Sequence, residues 1–223
     1  MYQQKFLVMK KFAIVLSGSG VYDGAEIHEA TLSMLAVMQQ GAEYEVFAPD
    51  IDQYHVVNHI TGEAMDEKRN VLVESARIAR GKIKDIKEYN ANNFDAILFP
   101  GGFGVAKNLC TFAFDGTDCT VNKDIEQAIL DTAKHQKPIG ALCISPVLIA
   151  KVLEGATVTI GQDKATAEAI ENLGGTHQNT NHGDVVYDAQ HKVFTTPCYM
   201  LDATIVDINN GAQNVVKAML EKM

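Results

Sequence analysis

Short apolar runs alternate with longer amphipathic segments along most of the chain. Four runs have the length and composition of buried strands, namely KKFAIV, AEYEVFA, FDAILF and IGALC. Segments with apolar residues at helical spacing follow the first and the last of these runs, and another separates the third from the fourth. The alternation predicts an α/β fold, with a doubly wound, mostly parallel sheet covered by helices on both faces.

Three predicted helices carry boundary signals. The first ends at Gly41, the second begins after Asn122, a residue type that favours N-caps, and Pro146 opens the third. In the first helix we expect a core-facing stripe made of Ile27, Ala30, Met34, Leu35 and Met38. This stripe leaves Glu29 outside the core and free to face a site.

The remaining segments are less regular. GATVTI, VVYD and KVFTT are predicted strands, the last two joined by a turn around residues 189–191, and a helical region interrupted near Gly211 closes the chain. Segment 52–93 is too long for a simple crossover, so we expect an insertion near the mouth of the site with a helix from about Glu67 to Ala79. We expect residues 1–10 to be an N-terminal extension and residues 11–223 to form a single domain.

Composition and charge exclude several classes of protein. The 223 residues are 47% hydrophobic, and the formal net charge of −9 argues against nucleic acid or an anionic membrane as a partner. The first eleven residues are too short and polar for a signal peptide, and no apolar run is long enough for a membrane span, so a cytoplasmic location is expected. The cysteines lack zinc-site spacing, and we expect neither a metal nor an organic cofactor.

Candidate chemistry lies after the predicted strands, because ligands bind at the carboxyl ends of parallel strands. SGSGVYDG follows the first strand, PGGFG the third and Cys143 the fourth. A cysteine on a sharp strand-to-helix turn faces a helix N-terminus, which is expected to favour the thiolate over the thiol and so to lower the thiol pKa. On position alone, a buried small hydrophobe is an equally good interpretation of Cys143.

Other features of these segments are assigned structural roles. Cys110 and Cys119 have no helix start behind them, and Cys198 in TTPCYM fits core or rim filling. The GSG sequence lacks a third glycine at dinucleotide spacing and is followed by the acidic EIHE, so no nucleotide site is expected.

The chain resembles a known family in several blocks. They are SGSGVYDGAEIHEA, NHITGEAM, RNVLVESARIARG, PGGFGVAKNL, CTV, LCISP and TTPCYML. These blocks resemble the PfpI superfamily, whose members have a flavodoxin-like, class I glutamine amidotransferase-like fold. Within it they are similar to the ElbB group, isoprenoid biosynthesis proteins with an amidotransferase-like domain. The resemblance runs from about Lys11 to the C-terminus and favours Cys143 as the functional thiol.

The resemblance also implies partners for the thiol. A glutamate on the first helix, Glu29 with Glu26 as the fallback, would approach the sulfur, and its carboxyl must then be protonated or share a proton with the thiol. The N–H groups of Gly102 and Ile144 would form an oxyanion hole. Further expected lining residues are Gly101, His59, Glu26 and Tyr199. No histidine follows the elbow cysteine, so the third catalytic residue is left open among His28, His59 and His182, with His59 favoured.

The group is associated with a glyoxalase activity that needs no glutathione. The resemblance therefore implies a lyase in which Cys143 is the nucleophile, and in which glyoxal or a similar small dicarbonyl becomes a hydroxy acid such as glycolate. A small pocket would suffice. The alternatives are a thiol-based stress sensor or regulatory binding protein, and an accessory factor in isoprenoid biosynthesis without amidotransferase activity. A homodimer is expected.

Overall fold

The computed structural model describes residues 9–223. Residues 1–8, most of the expected N-terminal extension, lie outside this range. Seven strands form one sheet in the order β3-β2-β1-β4-β5-β9-β8. They are β1 (Lys11–Val15), β2 (Glu43–Ala48), β3 (Ile83–Asp85), β4 (Ala96–Phe99), β5 (Ile139–Leu142), β8 (Val186–Asp188) and β9 (Val193–Thr196). Only the β8–β9 pairing is antiparallel, which confirms the predicted doubly wound, mostly parallel sheet.

Helices cover both faces of this sheet. They are α1 (Ile27–Gln39), α2 (Val71–Ile78), α3 (Phe112–Asp115), α4 (Lys123–Lys134), α5 (Pro146–Val152), α6 (Lys164–Asn172) and α7 (Ile205–Leu220). Successive side chains of β1 point to opposite faces and belong to two cores. Phe12 and Ile14 pack in the core that includes α1 and α7, whereas Ala13 and Val15 pack in the core that includes α4 and α5.

The face of α1 that packs on the sheet differs from the predicted stripe. Ala30 and Met34 are buried as expected, but Ile27 and Met38 are 45% and 57% exposed, and Leu35 is also exposed. The buried face instead includes Glu29 and Ser33. The prediction was wrong because apolar positions lie on more than one side of this helix, so their spacing alone does not select the core face.

Segment 52–93 contributes a strand to the main sheet. β3 pairs in parallel with β2 at the edge, and α2 begins at Val71 rather than near Glu67 because the Asn70 side chain accepts a hydrogen bond from the N–H of Val73. The strand expected in GATVTI is only β6 (Thr157–Val158), which pairs with β7 (Thr176–His177) outside the main sheet.

The C-terminal helix is continuous through Gly211, so the predicted interruption is wrong. A Cβ atom at Gly211 would lie 3.3 Å from the sulfur of Cys198 and 3.4 Å from the hydroxyl of Thr196. The glycine therefore allows α7 to lie close to the end of β9. Within residues 9–223, no helix combines the length and the apolar character that crossing a membrane requires.

Close packing at the centre of the sheet generates a prediction about Gly140. A Cβ atom there would lie 2.3 Å from Leu98 Cδ1 and 2.7 Å from Met219 Sδ, so Gly140→Ala overpacks the space between β5, β4 and α7. We expect urea unfolding to show a loss of about 1–3 kcal/mol. In a Leu98→Val background, which removes the nearest atom, the same change should cost less, and equal costs in both backgrounds would contradict this account.

Candidate active site

Cys143 lies at a sharp turn between β5 and α5. Its N–H donates to the Thr196 carbonyl at 3.0 Å, and its φ angle of 59° is in the left-handed region that few non-glycine residues adopt. The Ser145 hydroxyl donates to the carbonyl of Pro100 at 2.9 Å, which ties this turn to the loop after β4. Cys143 is thus fixed where the ends of three neighbouring strands meet.

Glu29 brings a fully buried carboxyl to the same place. Its Oε2 accepts a hydrogen bond from the Gly101 N–H at 2.8 Å, and its Oε1 accepts one from the Tyr199 N–H at 3.4 Å. The carboxyl also lies against the Cys143 thiol, and each group shifts the pKa of the other. Burial, followed by the nearby charge of Glu26, raises the pKa of Glu29 to about 8. The carboxyl is therefore protonated at neutral pH.

The thiol pKa shifts in the direction opposite to the one predicted. Burial, followed by the negative charge of Glu29, raises the pKa of Cys143 above its ordinary value. Hydrogen bonds from the N–H groups of Gly102 and Ile144 act in the other direction but do not outweigh burial. The prediction of a lowered pKa was wrong because sequence shows the following helix but not the desolvation of the sulfur.

Glycine forms the wall beside this pair. A Cβ atom on Gly101 would lie 2.5 Å from Cys143 Cβ and 2.8 Å from Glu29 Oε2. Gly102 has a φ of 100°, and a side chain there would meet the backbone of Gly24 and Glu26 at 2.4 Å. These two positions have no room for a side chain, which leaves the backbone N–H groups facing the sulfur and the carboxyl.

The other candidate residues take different positions. Glu26 caps α1 by accepting the Glu29 N–H at 2.7 Å. His59 lies between β2 and α2 and contacts the loop after β1, where its Nε2 accepts the Tyr22 N–H at 3.2 Å. It is not among the residues that line the cavity in front of Cys143. His28 reaches the lining residue Tyr199 through a 2.8 Å hydrogen bond to its hydroxyl. Exposed His182 lies near Asp207 at the start of α7.

The cavity in front of Cys143 is larger than a small dicarbonyl requires. It encloses about 410 Å³. Its lining residues are Val21, Gly102, Phe103, Ala106, Phe112, Ala113, Cys143, Ile144, Asp163, Thr166, Tyr199 and Met200. Most of them are apolar, and sequence reasoning missed Phe103 and Phe112. An aromatic residue within the glycine-rich PGGFG was the available signal for Phe103.

A larger groove, about 530 Å³, lies along β2 and β3 without cysteine or histidine in its lining.

Segment 52–93 supports the site loops from outside. The N–H of Val57 donates to Asp23 Oδ2 at 2.6 Å, and the N–H of Tyr54 donates to Asn108 Oδ1 at 3.0 Å. Asn108 in turn donates to the Ser17 and Asp23 carbonyls at 2.9 Å. The segment thus holds the loop after β1 in position, although the residues that line the cavity come from other parts of the chain.

The geometry can perform nucleophilic and acid–base chemistry. A thiol, a protonated carboxyl and two backbone donors meet at one point beside an open cavity. In residues 9–223 there is no group of three or more His, Cys, Asp or Glu side chains placed to hold a metal ion.

Comparisons with known proteins identify the family. The chain is 47% identical over 221 residues to the mitochondrial ES1 protein homolog of Rattus norvegicus, with 95% of this chain and 83% of that protein covered. It is 48% identical to the mitochondrial glutamine amidotransferase-like class 1 domain-containing protein 3 of Homo sapiens, with 95% and 82% covered. The chain belongs to the ES1 family. No protein-family model matches it.

Solved structures agree with the fold of this ES1 family member. A crystal structure of an isoprenoid biosynthesis protein with an amidotransferase-like domain from Ehrlichia chaffeensis matches with a TM-score of 0.90 and 35% identity, covering 96% of this chain and 99% of that one. DJ-1beta of Drosophila melanogaster matches at a TM-score of 0.57 and 15% identity, with 96% and 93% covered, and shows the fold alone. The class I glutamine amidotransferase-like, DJ-1/PfpI-type fold is therefore confirmed.

The expected cytoplasmic location is wrong. The curated ES1 relatives from rat, human and zebrafish, at 34–48% identity, are all named mitochondrial. Location depends on short targeting segments that the pattern of apolar and polar residues in the folded domain does not encode.

The raised pKa of Glu29 predicts a pH dependence of stability. The unfolded chain releases this proton near the ordinary value of 4.5, whereas the folded protein keeps it until about pH 8. Between these values the folded state binds more protons, so the free energy of unfolding falls as pH rises, by at most about 1.4 kcal/mol per pH unit. Thermal unfolding at a series of pH values should show a shallower decline for Glu29→Gln than for the wild type.

The matched control is Glu43→Gln, which removes a carboxyl at the other end of the sheet, at the start of β2. This variant should keep the wild-type slope. Identical slopes for wild type and Glu29→Gln would show that Glu29 ionises as it does in water.

Proposed function

We propose that this ES1 family member is a cysteine-dependent, glutathione-independent glyoxalase-type enzyme that converts a 2-oxoaldehyde to a 2-hydroxy acid. The observation that carries the proposal is the contact between the buried Glu29 carboxyl and the Cys143 thiol at the end of an open cavity. The relative named as an isoprenoid biosynthesis protein with an amidotransferase-like domain supports the ElbB-type assignment within the superfamily.

The first step is addition of sulfur to the aldehyde carbon. Both groups of the pair have raised pKa values, so the pair holds two protons at low pH. The reactive form has lost one of them, and the sulfur and the carboxyl share the proton that remains. The Cys143 sulfur forms a bond to the aldehyde carbon, and the N–H groups of Gly102 and Ile144 donate to the developing oxyanion. Protonation of that oxygen by Glu29 gives a hemithioacetal.

An isomerisation and a hydrolysis complete the reaction. The Glu29 carboxylate removes the proton from the sulfur-bearing carbon, giving an enediolate. The carboxyl then returns this proton to the adjacent carbon while the hydroxyl proton moves from the first oxygen to the second, which gives a thioester. Water then cleaves the thioester, which releases the hydroxy acid and restores the thiol. The balance is one dicarbonyl plus one water to one hydroxy acid, without an external oxidant or reductant.

Turnover of labelled glyoxal tests the roles of both residues. Carbon NMR should show many equivalents of glycolate with the wild type, none above background with Cys143→Ala, and a rate lower by about 10²–10⁴-fold with Glu29→Gln. The wild-type rate should rise as the pH approaches about 8, where Glu29 ionises. Cys110→Ala, which removes a buried cysteine that does not line the cavity, should retain turnover in freshly reduced protein.

The thiol-sensor alternative gives a different outcome in the same assay. Consumption of at most one equivalent, together with a stable mass increase on Cys143, would contradict the enzyme and leave a thiol that reacts once. The expected homodimer stays a prediction, which light scattering on the purified protein measures directly.

The apolar lining predicts a preference for larger substrates than glyoxal. Each methylene buried in the cavity contributes about 0.8 kcal/mol, or about fourfold in affinity. Phenylglyoxal should therefore have a higher kcat/KM than glyoxal. Phe112→Ala should reduce this preference several-fold, because Phe112 lines the cavity.

Phe114→Ala is the matched control for this preference. Phe114 lies on the same short helix, but its ring stacks on Tyr54 with centroids 4.0 Å apart instead of lining the cavity. It should leave the substrate preference unchanged. Equal effects of the two variants would mean that the stability or position of α3, and not contact between the Phe112 ring and the substrate, determines the preference.

A further inference from the structure

Two cysteines outside the proposed catalytic pair lie side by side at the base of the loop that carries α3. An antiparallel bridge joins Cys110 to Val121, with hydrogen bonds from the Asn122 N–H to the Leu109 carbonyl at 2.8 Å and from the Thr111 N–H to the Thr120 carbonyl at 3.0 Å. These bonds flank the bridged pair, so Cys110 and Val121 are directly opposite residues that do not bond to each other. In an antiparallel ladder the side chains of such a pair lie closer together than those of a hydrogen-bonded pair.

This pairing directs both thiols to one side. Cys119 is two residues before Val121, and side chains two residues apart in extended chain point to the same face. Its side chain therefore lies on the same face as that of Cys110, close enough for each thiol to shift the pKa of the other. The Cys110 thiol also contacts the Val105 carbonyl, to which it donates at 3.4 Å. Both thiols are free and buried, at 4% and 2% exposure.

The surroundings make the two thiols unequal. The interaction with Cys110, assisted by the positive charge of Lys151, lowers the pKa of Cys119 below its ordinary value. The Lys151 ammonium lies nearby, where it donates to the Thr117 carbonyl at 3.3 Å. The interaction with Cys119, followed by burial, raises the pKa of Cys110. One sulfur is thus suited to attack an oxidant, and the other stands beside it as a proton-carrying partner.

The loop between these cysteines forms one wall of the Cys143 cavity. Phe112 and Ala113, both on α3, line the cavity. A covalent link between residues 110 and 119 would close a ring around them and restrict the movement of this wall.

We propose that Cys110 and Cys119 form a redox-active dithiol whose disulfide closes the 110–119 loop and changes access to Cys143. With hydrogen peroxide as the oxidant, the Cys119 sulfur bonds to one peroxide oxygen, the O–O bond breaks, and the departing hydroxide takes a proton to become water. The Cys110 sulfur then bonds to the Cys119 sulfur, the S–O bond of the sulfenic acid breaks, and the hydroxyl leaves with the Cys110 proton as a second water.

Peptide mass spectrometry tests the disulfide directly. No lysine or arginine lies between Lys107 and Lys123, so trypsin releases both cysteines in one peptide. After peroxide treatment, free thiols are blocked with N-ethylmaleimide. The peptide should then carry no label and should weigh two hydrogen atoms less than the unlabelled dithiol peptide. Dithiothreitol should reverse the change. Full labelling of both cysteines after treatment would overturn the proposal.

Single substitutions separate the two thiols. Cys110→Ser should leave a Cys119 sulfenic acid that dimedone traps, whereas Cys119→Ser should leave Cys110 largely unoxidised. Cys143→Ala should form the Cys110–Cys119 disulfide like the wild type, and loss of the disulfide in this variant would contradict an independent dithiol. If either serine variant fails to fold, the wild-type and Cys143→Ala peptides still decide the question.

The effect on the cavity is measured without any assay of turnover. A pulse of iodoacetamide should alkylate Cys143 at rates that differ several-fold between oxidised and reduced wild type, and peroxide should not cause this difference in Cys110→Ser. A disulfide that leaves Cys143 alkylation unchanged would overturn the link to the cavity. Because no substrate is used, either result is independent of whether the glyoxalase proposal holds.

Discussion

A buried carboxyl that faces a sulfur atom is the constraint on which the rest of the site depends. No cation from residues 9–223 acts on Glu29, so its burial is tolerated only because it stays protonated and accepts hydrogen bonds from the Gly101 and Tyr199 N–H groups. These donors belong to the loops after β4 and β9, and Cys143 directly follows β5. The carboxyl therefore joins α1 to three separate strand ends, and displacement of any of them would leave a buried polar group without a partner.

The sheet provides the place where this junction can form. Strand order reverses next to β1, with β2 on one side and β4 on the other, and crevices for ligands open at such points. The loops after β1 and β4 approach closely there, as the Gly104 N–H donates to the Gly24 carbonyl at 2.9 Å. Their contact positions the start of α1, and therefore Glu29, next to the Cys143 sulfur.

The elements near the centre of the sheet could be predicted because each is determined by its own sequence. β1, β4 and β5 are short apolar runs, and Asn122 caps α4 as its residue type suggests. Cys143, Glu29 and the two backbone donors could be named from the matched blocks. β3 could not be predicted, since this edge strand is short, only partly buried and contains no apolar alternation.

Properties of the site that arise from distant parts of the chain were not predictable. The sign of the thiol pKa shift depends on how completely the sulfur is desolvated, and the cavity volume depends on Phe112 and Met200, which are far apart in sequence. The buried face of α1 depends on which side meets the sheet, and the exposed positions of Ile27 and Met38 show that hydrophobicity alone does not choose it. In each case a tertiary neighbour decides the outcome.

The left-handed backbone at Cys143 has a consequence for how this fold can change. A non-glycine residue in that conformation costs about 1–2 kcal/mol, a penalty that glycine would avoid. Selection for stability alone would therefore favour glycine at this turn. If the proposed function holds, the thiol represents stability given up for reactivity, and the turn is a place where thermal robustness and chemistry compete for the same residue.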